Sequence, residues 1–204
     1  MDLRRITVCL FMAFATAGCA PEGPPPETSA PTVLAGSKID VTRLKNQASR
    51  GDVKAQNALG NMYRYGQSVP RDDEVAAMWF ERAAQQGDRT AQVNIGLMYH
   101  EGEGVQQSDG MAIKWYGLAA INGHDVGQLY LGYAYLTGMV VPRDFEKAYS
   151  WFELAATRKN YQAACYLGYL YAEGKGVKKD VIEAVKWFLI GRAPRRIPYF
   201  SEVG

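Results

Sequence analysis

Between residues 53 and 193 the apolar positions recur at helical spacing, in short runs separated by glycine and small polar residues. Ala55, Leu59, Met62 and Tyr63 stand at i, i+4, i+7 and i+8, which places them on one face of a helix. Gly66 closes that run at a left-handed C-cap, and the loop 67–71 leads to Asp72, a strong N-cap residue. A second stripe follows, Ala76, Trp79, Phe80, Ala83 and Ala84, and Gly87 ends it. The pattern predicts a pair of helices that bury their stripes against each other.

The hairpin then repeats. Trp79, Trp115, Trp151 and Trp187 are spaced 36 residues apart, and each precedes an aromatic residue: Phe80, Tyr116, Phe152, Phe188. The same step links Gly60, Gly96, Gly132 and Gly168, and it links Tyr63, Tyr99, Tyr135 and Tyr171. Asp72, Ser108, Asp144 and Asp180 are the N-caps of the second helices, and Glu183 predicts a capping box in the last copy. Gly60 and its equivalents lie inside the first helices, where glycine costs about 1 kcal/mol against alanine. A recurring cost of that size implies a contact too tight for a methyl group. Upstream, Leu44, Ala48, Gly51 and Asp52 match Phe80, Ala84, Gly87 and Asp88, so 41–51 reads as a lone capping helix whose polar side faces solvent.

These columns resemble the Sel-one-like repeat family, a relative of the tetratricopeptide repeat. The motif A-L-G-x-M-Y-x-x-G, then Val, Asp and A-x-x-W-F-x-x-A-A-x-x-G, stands almost intact at 58–87. Departures are Lys159 in place of the terminal glycine of the third copy, and Gly191, Arg192 and Ala193 at the end of the fourth. The resemblance implies an all-α fold, a right-handed α-solenoid of about four 36-residue helix-turn-helix repeats starting near 53, 89, 125 and 161. It also implies a non-catalytic scaffold for protein–protein interaction, with relatives in envelope assembly, secretion, polysaccharide export and host interaction. Cysteine-rich members of the family resemble β-lactamases or penicillin-binding proteins. A cell-wall-directed hydrolase is therefore the alternative, against which stands the absence of the two cysteines per repeat.

The first forty residues follow a different grammar. Arg4 and Arg5, the apolar run 6–15 and the small residues Thr16, Ala17 and Gly18 form a secretory signal over 1–18. Ala15-Thr16-Ala17 fits ordinary signal peptidase, whereas Ala17-Gly18-Cys19 resembles a bacterial lipobox, with Thr16 where Leu is usual. Residues 19–40 are rich in proline and poor in large apolar side chains, which suits an extended tether of roughly 3.1 Å per residue. The expectation is an exported protein lipidated at Cys19, facing the periplasm from the outer membrane, or otherwise free in the periplasm. Residues 194–204 read as a C-terminal tail.

Composition narrows the function classes. A net charge of +2 in 204 residues offers no concentrated basic face, so no nucleic-acid partner is expected. The expected partners are envelope or secreted proteins and the membrane that holds the lipid. His100 and His124 stand in different columns with no cysteine at ligand spacing, so neither a metal site nor a cofactor is expected. Asp72, Asp144 and Asp180 are accounted for as caps. With Cys9 lost with the signal and Cys19 lipidated, Cys165 is expected to be a lone thiol, small and buried or groove-facing.

What remains is a surface. On each first helix a second stripe at i, i+4, i+7 changes between copies: Asn57, Asn61, Arg64; Val93, Leu97, His100; Leu129, Tyr133, Leu136; Cys165, Tyr169, Ala172. One reading is a concave groove that takes an apolar partner segment at its C-terminal half, with Arg64 and His100 fixing its polar end. The other is that these residues pack between neighbouring hairpins.

Overall fold

The computed structural model describes residues 41–192. The expected signal peptide, the tether with Cys19 and the tail lie outside the described residues. Among the described residues there are nine helices and no strand: α1 Val41–Ser49, α2 Val53–Tyr65, α3 Asp73–Gln85, α4 Arg89–Glu101, α5 Asp109–Ile121, α6 Asp125–Thr137, α7 Phe145–Thr157, α8 Tyr161–Glu173 and α9 Val181–Gly191. Each helix packs against its neighbours in the chain, so α2–α3, α4–α5, α6–α7 and α8–α9 stack as four hairpins behind α1. The chain is an all-α solenoid, as the period of 36 residues requires.

Local chemistry sets the helix ends. The side chains of Asp52, Asp88 and Asn160 accept from the backbone N–H groups of Ala55, Ala91 and Ala163, three residues into α2, α4 and α8. Asp72, Ser108 and Asp144 do the same for α3, α5 and α7. The first helices all end on a left-handed glycine, Gly66, Gly102, Gly138 or Gly174, with φ between 65° and 75°. The expected capping box at Glu183 does not form. The backbone N–H of Asp180 donates to the Tyr171 carbonyl at 3.1 Å, and the Glu183 carboxylate holds Lys186 instead. Lys159 keeps the left-handed turn of the glycine it replaces, with φ at 66°.

Two recurring contacts hold the hairpins. Inside each, the helix glycine lies under the aromatic ring of the partner helix: Gly60 under Phe80, Gly96 under Tyr116, Gly132 under Phe152 and Gly168 under Phe188. A Cβ on any of these glycines would fall 2.5–2.8 Å from a ring carbon, so the missing methyl is what lets the helices close. Between hairpins, three buried glutamines form a ladder that the apolar columns did not reveal. Gln56, Gln92 and Gln128 donate to the carbonyls of Ala48, Ala84 and Ala120 on the preceding helix. Gln86 and Asn122 in turn donate to Gln56 and Gln92. Ring stacking adds to the join, Tyr116 on Tyr130 and Phe152 on Tyr166, at centroid separations of 4.3 and 4.7 Å.

Candidate functional site

The variable stripe does not form a continuous groove. Val93 and Leu97 are 1% exposed and Leu129 is 3% exposed. Val93 and Leu97 pack with Ala112, Tyr116, Ala119 and Tyr130, whereas Leu129 packs with Ala148, Phe152 and Tyr166. Their i, i+4, i+7 spacing marks a helix face correctly, but the second helix of the same hairpin and the next hairpin together cover it. Arg64 is likewise buried, because its guanidinium reaches across to the following hairpin and donates to Glu101 at 2.7 Å and to Glu103 at 3.1 Å. It is an inter-repeat tie, which corrects its assignment to the polar end of a groove. Asn57 is engaged in the same direction, accepting from Asn94 at 3.2 Å. Leu136 and Tyr169 are half-buried against the third and fourth hairpins, Lys175 donates to the Tyr169 hydroxyl, and Asn61 is half-buried. Ala172 is buried. Cys165 is buried and disulfide-bonded, against the expectation of a lone thiol.

Two residues of the stripe, His100 and Tyr133, do come together at an open cleft between the second and third hairpins. Its walls are apolar: Ala112 and Ile113 of α5, Tyr130 and Ala134 of α6, and Met139 and Val140 of the loop after α6. At one end His100 Nδ1 stands 2.7 Å from Asp109 Oδ1, a pair that remains partly open to solvent. Asp109 is the first residue of α5, where the helix dipole favours a carboxylate. Tyr116 also lines the cleft, although it is only 2% exposed, and its hydroxyl has no hydrogen-bond partner among the described residues. Burial pushes its pKa up, with nearby Tyr130 adding to the effect, so the group is a neutral phenol that can donate or accept.

The arrangement can bind an apolar group. A His–Asp pair acts in acyl transfer only when the imidazole activates a nucleophile. The lining residues include neither serine nor cysteine, and the Thr137 hydroxyl donates to the Tyr133 carbonyl at 3.0 Å. Among the described residues no group of three or more histidine, cysteine or carboxylate side chains is placed to hold a metal ion. No described helix is long and apolar enough to cross a membrane. His124, the other histidine, caps α6: its Nδ1 accepts from the Val126 N–H at 3.3 Å. Sequence reasoning missed Tyr116 as a site residue because one tyrosine among three phenylalanines reads as an ordinary member of an apolar column. The signal was there in the single hydroxyl among Phe80, Tyr116, Phe152 and Phe188.

Comparison with known proteins agrees with the repeat count. The family model described as Sel1 repeat matches residues 53–88, 90–124, 126–160 and 162–191. Among solved structures, the chain is similar to a protective antigen present in uropathogenic Escherichia coli strains, which displays an SLR fold. That match has 36% identity and a TM-score of 0.71 over 74% of this chain and 33% of the antigen. It is similar also to a Sel1 repeat protein from Oxalobacter formigenes, with 33% identity and a TM-score of 0.69 over 74% of this chain and 62% of that one. The chain thus spans about a third of the first and three fifths of the second. No curated protein sequence matches it significantly.

Proposed function

The chain belongs to the Sel1 repeat family, and on that premise we propose that it is a non-catalytic scaffold of the bacterial cell envelope. In this reading it is tethered through lipid on Cys19 and binds segments of partner proteins. Sel1 repeat proteins are generally protein-interaction scaffolds. The observation that carries the proposal for this chain is the apolar cleft between the second and third hairpins, whose rim leaves Met139 63% exposed. An uncovered methionine beside an apolar recess is a surface that a partner side chain would dehydrate at a gain of about 25 cal/mol per Å². Placement in the envelope rests on the basic, apolar and small-residue order of 1–18, and the anchor on Cys19 followed by a proline-rich stretch.

The test is site-specific photo-crosslinking in intact cells, with the crosslinker at Met139 and, as a control, at the exposed Glu74 of the first hairpin. A discrete protein adduct from Met139 alone, in the membrane fraction, is the expected result. No adduct at either position, or the same adducts at both, contradicts a scaffold that works through this surface. The hydrolase alternative predicts instead covalent labelling by a reporter β-lactam.

A further inference from the structure

The cleft exists because one loop residue departs from its column. The loops after the first helices carry Ser68, Gly104, Val140 and Gly176 at equivalent positions. Three of these take the left-handed conformation, with φ of 62°, 65° and 70°, and Val140 does not. A β-branched side chain is strongly disfavoured there. The glycines use that conformation to press the loop backbone onto the first turn of the preceding hairpin's second helix. A Cβ on Gly104 would lie 2.1 Å from the Asp73 carbonyl oxygen, and one on Gly176 would lie 2.4 Å from that of Phe145. The equivalent target for Val140 is Asp109. Valine can make neither the turn nor the contact, and Val140 and Asp109 stand instead on the lining of an open recess.

The same junction carries the lone hydroxyl of the aromatic column. Tyr116 Oη is one of four buried side-chain polar atoms without a partner among the described residues, and it alone belongs to a residue of the cleft. An unmet buried hydroxyl is costly, and phenylalanine, present in the other three copies, would avoid the cost. Two departures from the repeat therefore meet at one site: one opens the recess, and the other puts an unmet hydroxyl on a ring that lines it. The walls are a stacked pair of tyrosine rings and short aliphatic groups, which suits a flat ring. Met139 and Val140 are exposed as well as lining the recess, so apolar surface continues to solvent at this side, where a chain flanking an inserted ring would lie.

We propose that the recess between the second and third hairpins receives a tyrosine or tryptophan side chain of a partner polypeptide, whose hydroxyl or indole N–H pairs with the Tyr116 hydroxyl while the flanking chain lies over Met139. This rests on the scaffold reading and names the chemistry of its partner. The pocket is read separately, on the purified protein, by NMR titration with N-acetyl-tyrosinamide, N-acetyl-tryptophanamide and N-acetyl-phenylalaninamide. The tyrosine and tryptophan amides should bind roughly two- to tenfold more tightly than the phenylalanine amide, the worth of one hydrogen bond. Tyr116→Phe should abolish that preference, and Val140→Gly should close the recess and remove binding of all three. Both variants restore residues that other copies carry, and circular dichroism checks that both fold. Equal binding of the three amides to the wild type, or binding untouched by Val140→Gly, overturns the inference. In cells, loss of the Met139 crosslink in Val140→Gly supports it. An undiminished crosslink rejects the pocket but keeps the scaffold, and absence of any crosslink in the wild type rejects the scaffold itself.

Discussion

Gly60 lies beneath the ring of Phe80 so closely that a Cβ on the glycine would stand 2.5 Å from both Cδ1 and Cε1. Alanine at this position gains about 1 kcal/mol in helix propensity. Against that, a methyl group forced onto a fully buried ring costs typically 1–3 kcal/mol, and more where the ring has no room to move. Phe80 is 0% exposed, so the clash wins. Gly60→Ala should lower the melting temperature measured by circular dichroism. Gly117→Ala is the counter-case, because that glycine lies within α5 and nothing stands within 4 Å of its absent Cβ. There only the propensity term operates, and the variant should melt higher than the wild type.

His124 gives the array an acid-sensitive joint. Burial pushes its pKa below the ordinary histidine value, outweighing the opposing pull of Asp125, and its Nδ1 must be unprotonated to cap α6. On acidification the unfolded chain therefore takes up the proton first, so the cap's contribution is full above about pH 6.5 and is lost as the pH falls below it. The equivalent position in the next repeat is Asn160, a cap that does not titrate. Thermal melts of His124→Asn and the wild type should differ little at pH 7.5, and the variant should be clearly the more stable at pH 5.5. A stability difference that is the same at both pH values would show that His124 does not carry the effect.

The hairpins, their caps and the helix glycines were legible in the sequence because each answers to local backbone chemistry and recurs at a fixed interval. The variable stripe was legible as a helix face but not as an exposed one. Spacing says which side chains share a face; only the packing of the partner helix and the next hairpin decides that Val93 and Leu97 are covered while His100 and Tyr133 reach the cleft. The glutamine ladder recurs at 56, 92 and 128, yet polar residues are discounted when apolar columns are sought. Val140 looked like an ordinary loop residue until the backbone showed its three equivalents turning left-handed.

Arg64 separates a structural tie from a binding residue. Its side chain is 7% exposed and donates to two carboxylates of the next hairpin that keep partial access to water. Arg64→Met preserves the aliphatic bulk and removes the charge. The expected loss is about 1–3 kcal/mol, below the 3–5 kcal/mol of a fully buried pair because Glu101 and Glu103 can rehydrate. A double-mutant cycle with Glu101→Gln should return a coupling of about 1 kcal/mol or more in denaturant unfolding. Unchanged stability together with a lost partner crosslink would restore Arg64 to the binding surface.

Cys19 has one sulfur, and a thioether to lipid and a disulfide both require it. If cleavage leaves Cys19 as the lipidated N-terminus, the lipid anchor and a bond between Cys19 and Cys165 exclude each other within one molecule. Cys165 is disulfide-bonded in the structure, and the other cysteines of the sequence are Cys9 and Cys19. Mass spectrometry of the mature protein, digested without reduction, discriminates between the outcomes. The proposed anchor predicts an N-terminal peptide that begins at Cys19 and carries acyl mass, and a Cys19→Ser variant that leaves the membrane fraction. A peptide pair joined through Cys19 and Cys165, with no acyl mass, would remove the anchor and leave an exported scaffold whose N-terminal segment is stapled to the fourth repeat.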